Sequence, residues 1–525
     1  MSYSRVRWLV GGLVVVVSLV CAYAAESLTI VDVIPNSLSG ETDDNSEPNI
    51  GVNPINPRQA VISSFGHITS FSPFTISNPY FATNNGGTTW SNFDNVVHGD
   101  TTVDYGQNGT NAYMARLSGN NITAFSSANS PWSPIVSSSY NAISTPDQPW
   151  LQTGRGVDPA STMVKDRLYI GFNDLSNFGG ANGKTATVRF STDGGLTFTN
   201  KVLETVSPVA GQDGPPVRVA VNKDEVYAAW IRWDARPASQ PSGGIVFNST
   251  VMVRRDDSGA TGATKFGDLG IGGNGVAVTT AQTVFTTSVN SPASLGLERV
   301  GSDLSIAVDP KNANHVYVGF AEVPGNANSG QIRVRVMESS DGGGSWTQKF
   351  TTAASPNFRS GLPALAVTTD GQVGLLYTAF DAVNNKQEQH FVRTSNNFLN
   401  VNDAVLERFT NGNVAFKINP YLGDYMDLVA VGKDFYGVFS SSNNLNDANF
   451  PLGLPLFQRD TVGGPGGTFL LTDLSGNPVD FSVDPFFFTT AELETVVPEP
   501  TTLLLWGTTM VGLGLAAPWR RRRLE

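Results

Sequence analysis

The sequence predicts an all-β fold: a single β-propeller of four-stranded antiparallel blades, seven in number, with six as the alternative count. Three observations predict it. Only 15% of the 525 residues are charged, whereas glycine and proline number 54 and 30, a balance that excludes coiled coils and long-helix proteins. The body carries short alternating apolar runs separated by Gly, Asn, Asp or Pro turns, and no amphipathic-helix period. One eight-residue turn motif also recurs with fixed internal spacing, as it does in repeat architectures. A hydrophobic content of 40%, with 10% aromatics, supplies enough apolar surface for a packed core and excludes wholesale disorder.

The blades show first as pairs of strands. Residues 217–221 (Val-Arg-Val-Ala-Val) lead through Lys223-Asp224-Glu225 into 226–230 (Val-Tyr-Ala-Ala-Trp). Residues 304–308 lead through Asp309-Pro310 into 316–320, and 363–367 lead through Asp370-Gly371 into 373–377. Further versions start near Ile50, Trp150 and Leu428, and a degenerate one spans 103–116. Each reads as the two inner strands of a blade. The segment 468–490 is expected to close the ring or to pack beneath it.

The recurrent turn is Ser191-Thr192-Asp193-Gly194-Gly195-Leu196-Thr197-Phe198, repeated as Ser339-Ser340-Asp341-Gly342-Gly343-Gly344-Ser345-Trp346. A third copy, Thr83-Asn84-Asn85-Gly86-Gly87-Thr88-Thr89-Trp90, has Asn85 in the Asp position. The Asp or Asn side chain can bond backbone N–H groups of its own turn, and the glycines accept positive φ. The aromatic residue three positions after the second glycine then folds back between blades. Asn85 and Asp193 lie two blades apart if a blade takes about 50 residues. These copies resemble the Asp-box, or BNR repeat, of sialidase-like β-propellers, in which the motif is structural.

That resemblance implies where chemistry would sit. Sialidases of this fold use three arginines for the substrate carboxylate, a Tyr–Glu nucleophile pair and an Asp acid/base. The first arginine belongs to an Arg-x-Pro motif before the first blade, and the corresponding stretch here, Ser46-Glu47-Pro48-Asn49-Ile50, has none. Arg218, Arg359 and Arg393 match no context of that triad, and without it a carboxylated sugar lacks its bidentate clamp. Tyr421 and Tyr425 lie beside Asp424 and Asp427 in the one tyrosine–carboxylate cluster, whose Tyr421, Tyr425 and Asp424 are the catalytic candidates. The histidines at 67, 98, 315 and 390 show no metal-ligand spacing, His315 is expected solvated in a turn, and no Gly-x-Ser-x-Gly elbow occurs. No cofactor is expected. Acids recur ahead of the proposed inner strands, at Glu47, Asp147, Asp213, Asp303 and Asp424. Such carboxylates can ring one end of a central channel and hold a cation such as Ca2+ or the hydroxyls of a glycan. Alternatively each caps a turn before its strand.

Both ends read as addresses. Arg5 and Arg7, an apolar run from Trp8 to Val20 and Ala22-Tyr23-Ala24 form a secretory signal peptide over 1–24. Cleavage there removes Cys21, the one cysteine, so no disulfide framework is possible. After a propeller over 25–490 and a linker over 491–497 comes Pro498-Glu499-Pro500, then an apolar stretch to Ala517 and Arg520-Arg521-Arg522-Arg523. The stretch is at the short end of a membrane span, and the arginines would hold its far end in the cytoplasm. The segment 498–523 resembles the PEP-CTERM sorting signal of Gram-negative bacteria. The resemblance implies processing by signal peptidase and an exosortase, transient residence in the inner membrane, and release to the cell surface or an exopolysaccharide matrix. The net charge of −12 disfavours nucleic acid as a partner, and none is expected. The expected role is non-catalytic binding of extracellular glycan or protein. A diverged glycoside hydrolase and a purely structural matrix protein are the alternatives.

Overall fold

The computed structural model describes residues 28–492, apart from the stretches 68–75, 129–133, 142–145, 158–163, 175–184, 205–216, 236–243, 287–294, 299–302, 325–330, 411–421 and 464–468 and residues 98, 119–120, 297 and 396–397. Seven four-stranded antiparallel sheets form a ring, here blades I to VII. Their innermost strands are Asp44–Val52, Thr101–Tyr105, Asp147–Val157, Val217–Asn222, Leu304–Asp309, Phe358–Val367 and Asp427–Val431. The degenerate pair at 103–116 is a full blade, II, with first strands Thr101–Tyr105 and Asn111–Ser118.

The strands are apolar on both sides because each blade is sandwiched between two neighbours. In the second strand of blade IV, Glu225–Ala235, Tyr227, Ala229 and Ile231 enter the core shared with blade V. Val226, Ala228 and Trp230 enter the core shared with blade III. Period-two alternation thus distributes side chains between two cores, and each fully buried large side chain contributes about 1.5–3 kcal/mol. Close blade contact needs small residues at some points: a Cβ on Gly171 would lie 2.4 Å from the carbonyl oxygen of Val217 in the next blade.

The three recurrent turns join the outer two strands of blades I, III and V. Asp341 accepts hydrogen bonds from the Ser345 amide at 2.9 Å, the Ser345 hydroxyl at 2.7 Å and the Ser339 hydroxyl at 2.8 Å. Asp193 does the same with Thr197 and Ser191. Asn85 keeps the arrangement by reversing one bond: its Nδ2 donates to the Thr89 hydroxyl at 2.8 Å, while its Oδ1 accepts the Thr89 amide at 3.0 Å. Gly87, Gly195 and Gly343 have φ of 96°, 88° and 93°, which explains the second glycine. Trp90 is buried between blades VII and I against Phe487, while Phe198 and Trp346 are partly buried against inter-blade cores.

Blade VII closes the ring. Its strands are Asp427–Val431, Asp434–Ser442, Val483–Thr489 and, outermost, the N-terminal Thr29–Asp32. The expectation for 468–490 holds in part. Val483–Thr489 is the third strand, with Phe486 and Phe488 facing blade VI and Phe487 facing blade I, and the closing strand comes from the other end of the chain. Asp32 and Asp484 both accept hydrogen bonds from Arg459, all three side chains having no exposure, so an ion cluster fastens the two ends of the chain.

Candidate functional site

Three inner strands begin with the same irregularity. Glu47, Gln148 and Leu362 each precede a proline, each has φ near +50°, and each sits at a bulge in the pairing with the second strand. A left-handed non-glycine residue is strained, and the bulge re-aims side chains at the rim of the ring. Gly423, at φ 100°, allows blade VII to approach this bulge in blade I: a Cβ there would lie 2.4 Å from the Glu47 amide nitrogen.

The starts of the inner strands therefore meet at one end of the channel. Glu47 Oε1 accepts the Asp424 amide at 3.1 Å. The Gln148 amide donates to Asp100 Oδ2 at 3.2 Å and to Asp147 Oδ1 at 3.1 Å, and Gln148 Nε2 reaches Asp424 Oδ2 at 3.4 Å. Asp100, Asp147 and Asp424 are partly exposed, whereas Glu47 and Asp303 are buried. Beneath this acidic mouth the channel is plugged. The Arg218 guanidinium lies 4.2 Å from the Trp150 ring centroid and 5.5 Å from that of Tyr425. Trp150 and Tyr425 meet edge to face at 5.7 Å. Such ring and cation–ring pairs hold blades III, IV and VII together across the axis.

Burial dominates the electrostatics of the plug. It pulls the Arg218 pKa down to about 10 against the opposing pull of Tyr425, Asp303, Asp427 and Asp100. Burial, followed by the charges of Glu47 and Asp100, pushes the Tyr425 phenol well up, so it stays protonated at neutral pH. Its hydroxyl has no hydrogen-bond partner among the described residues. Below the plug, burial raises Asp427 and Asp104 to about 7, although amide groups donate to both.

Of the acids read from the sequence, Glu47, Asp147, Asp303 and Asp424 stand at this end, with Asp147 and Asp424 at its surface. Asp213 and Tyr421 lie outside the described residues, as do the segments assigned to the signal peptide and to the sorting signal with Pro498, Glu499, Pro500 and Arg520 to Arg523. Among the described residues no group of three or more acidic, His or Cys side chains is placed to hold a metal ion, and no helix is long and apolar enough to cross a membrane. The sequence marks none of Asp100, Gln148 and Trp150 as a site residue, and it gives Arg218 only as an arginine outside the triad context. The signal that could have found one of them, Gln148, is the X-Pro pair at the head of the strand, as in Glu47-Pro48 and Gln148-Pro149.

The remaining arginines read from the sequence make other contacts. Arg359 lies 5.7 Å from the Phe380 ring within blade VI, and Arg393, on the third strand of that blade, faces Phe435 of blade VII. The expectation for His315 is corrected. It is on the second strand of blade V, Asn312–Glu322, half-buried and bonded to Glu338 and the Tyr317 hydroxyl, because adjacent carboxylates Asp309 and Glu338 hold it against the sheet. His390 is buried between Asp403 and Glu388, His67 ends a strand of blade I, and His98 lies outside the described residues.

No family model matches the chain, and no curated protein matches it. Similar solved structures include a protein of unknown function from Dyadobacter fermentans, at 10% identity over 88% of this chain and 97% of that one, TM-score 0.39. A Trypanosoma rangeli sialidase mutant with trans-sialidase activity is 13% identical over 74% of this chain and 61% of its own, TM-score 0.32. An α-L-arabinofuranosidase from Fusarium graminearum is 9% identical over 90% of this chain and 100% of its own, TM-score 0.38.

Proposed function

We propose that this chain is an exported propeller of a Gram-negative cell surface or extracellular matrix, which binds a glycan without cleaving it at the acidic mouth of its channel. The observation that carries the reading is the meeting of Glu47, Asp100, Asp147 and Asp424, from four blades, above the Trp150–Tyr425 pair, with Asp303 of a fifth blade close enough to act on Arg218. Carboxylates are acceptors only, and a sugar is a dense array of hydroxyl donors around an apolar ring face. Partly exposed Asp100, Asp147 and Asp424 can accept those hydroxyls. The signal peptide and the PEP-CTERM segment would deliver the protein, with signal peptidase and an exosortase as processing partners. The three Asp-box hairpins serve as BNR-type staples of blades I, III and V and take no part in binding.

A second reading, a diverged glycoside hydrolase, is favoured by one observation: Tyr425 lies beside Arg218 and carboxylates of the mouth. Against it stands the phenol's raised pKa. The test is a screen of neutral and acidic oligosaccharides for binding to the purified protein, with and without Ca2+, beside a fluorogenic glycoside panel. Binding without turnover supports the proposal. Turnover lost in Tyr425→Phe supports the hydrolase, and silence in both arms supports a structural role.

A further inference from the structure

Below the plug, all seven innermost strands enclose a cavity of about 490 Å³. Its deep end is formed by Trp150, Arg218 and Asp427; at its other end stand Arg155, near the end of the inner strand of blade III, and Lys223, in the turn after the inner strand of blade IV, both exposed. The charged residues that line the cavity at that end are these two bases, whereas the mouth is lined by carboxylates. A rim lined by one sign concentrates ligands of the other.

Arg218 is the unusual member. It is 2% exposed, it lines the cavity, and its Nη1 has no hydrogen-bond partner among the described residues. The rings of Trp150 and Tyr425 lie against the guanidinium but do not take its N–H groups as a carboxylate would. A charged group buried without a pairing acceptor is costly. The two carboxylates that line the cavity with it, Asp427 and Asp104, have their oxygens engaged by other donors. Asp427 accepts from Asn49 Nδ2 at 2.7 Å and from the Ile50 and Leu428 amides, and Asp104 accepts from the Thr153 and Tyr105 amides at 2.7 and 2.8 Å.

We propose that the channel, entered from its basic end, binds a small molecule through one oxyanion group, a sulfate or a carboxylate, that pairs with Arg218. Arginine presents a planar fork suited to such groups. Arg155 and Lys223 draw the anion in, and the aliphatic walls of Val219, Val221, Ile306 and Val429 enclose the rest of the ligand. The proposal uses the other end and the other charge from the glycan reading, so either can fail alone.

The test is calorimetric titration of the full chain at constant ionic strength with sodium sulfate, glucose 6-sulfate, sodium glucuronate and uncharged glucose. The expected result is binding of at least one anionic probe and none of glucose. Arg218→Met should weaken that binding about ten- to hundred-fold, the loss of a charge-assisted hydrogen bond. Lys223→Glu, at an exposed position, should keep the fold and weaken binding several-fold, more so at low salt. Equal affinity for free sulfate and the sugar ester identifies the free ion as ligand, and tighter binding of the ester or of glucuronate identifies an anionic sugar. No binding of any anionic probe, or affinities unchanged by Arg218→Met, would overturn the proposal. If Arg218→Met does not fold, an unchanged affinity in Lys223→Glu does so.

Discussion

Gln148 of blade III and Asp424 of blade VII, three blades apart around the ring, meet over the channel axis with Nε2 and Oδ2 3.4 Å apart. Directly associated with them, Trp150 and Tyr425 repeat the same crossing between the same two blades. The mouth is therefore a single cross-ring cluster, and its parts can be separated by their dependence on packing.

Trp150→Ala removes a buried ring from the plug and is expected to cost about 3–5 kcal/mol. Tyr425→Phe removes a buried hydroxyl with no partner among the described residues and should leave stability unchanged or slightly raised. Urea denaturation of the two variants checks this. Equal losses would contradict the geometry of the plug.

Ring closure by the N-terminal strand makes a second prediction. Arg459 is fully buried between Asp32 and Asp484, so Asp32→Ala leaves charge without its partner and should cost about 3–5 kcal/mol. Exchange protection of the amides in Val483–Thr489 should fall with it. A loss confined to residues 29–32 would show that blade VII closes without them.

Stability should depend on pH in the direction set by buried carboxylates. Asp104 and Asp427 titrate at about 7 in the folded chain and near 3.9 when unfolded. Between these values the folded state binds more protons, so stability falls as pH rises from about 4 to about 7 and then levels. Asp341, held at about 2 by Ser345 and Ser339, works oppositely, and its contribution is lost as pH falls below about 4. Chemical denaturation across pH should show an optimum on the acid side of neutral, and Asp104→Asn should flatten the slope above it.

The hairpin staples predict small, local effects. Asp341→Ala removes three accepted hydrogen bonds at an exposed turn and should cost about 1 kcal/mol. Asn85→Asp should be nearly neutral, because Thr89 can turn its hydroxyl from acceptor to donor. Thermal melts of both variants check the pair, and a large loss in Asn85→Asp would contradict the reversed bond.

The fold was legible because blade physics repeats in the chain. Strands buried on both faces, as in 226–230, and glycines forced to positive φ, as in Gly195 and Gly343, leave local marks. Blade closure was not, because Thr29–Asp32 pairs with residues more than four hundred positions away and carries no marker of that partner. The site was partly legible. Acids at strand starts are visible in the sequence, but nothing around Arg218 marks it, because its setting depends on Trp150 and Tyr425 arriving from other blades. His315 misled for a related reason: its turn-like neighbourhood, Asn312-Ala313-Asn314, is the start of a strand whose partners Asp309 and Glu338 are set by register.

The most direct test of the account is glycan binding by the acidic mouth. Wild-type protein and the Asp147→Asn/Asp424→Asn double variant would be titrated with the tightest-binding oligosaccharide from the screen, with circular dichroism to verify the fold. The account predicts binding without turnover by the wild type and at least a ten-fold loss in the double variant, whose amides accept fewer sugar hydroxyls. Equal affinity in the two proteins, or hydrolysis of the bound glycan, would contradict it.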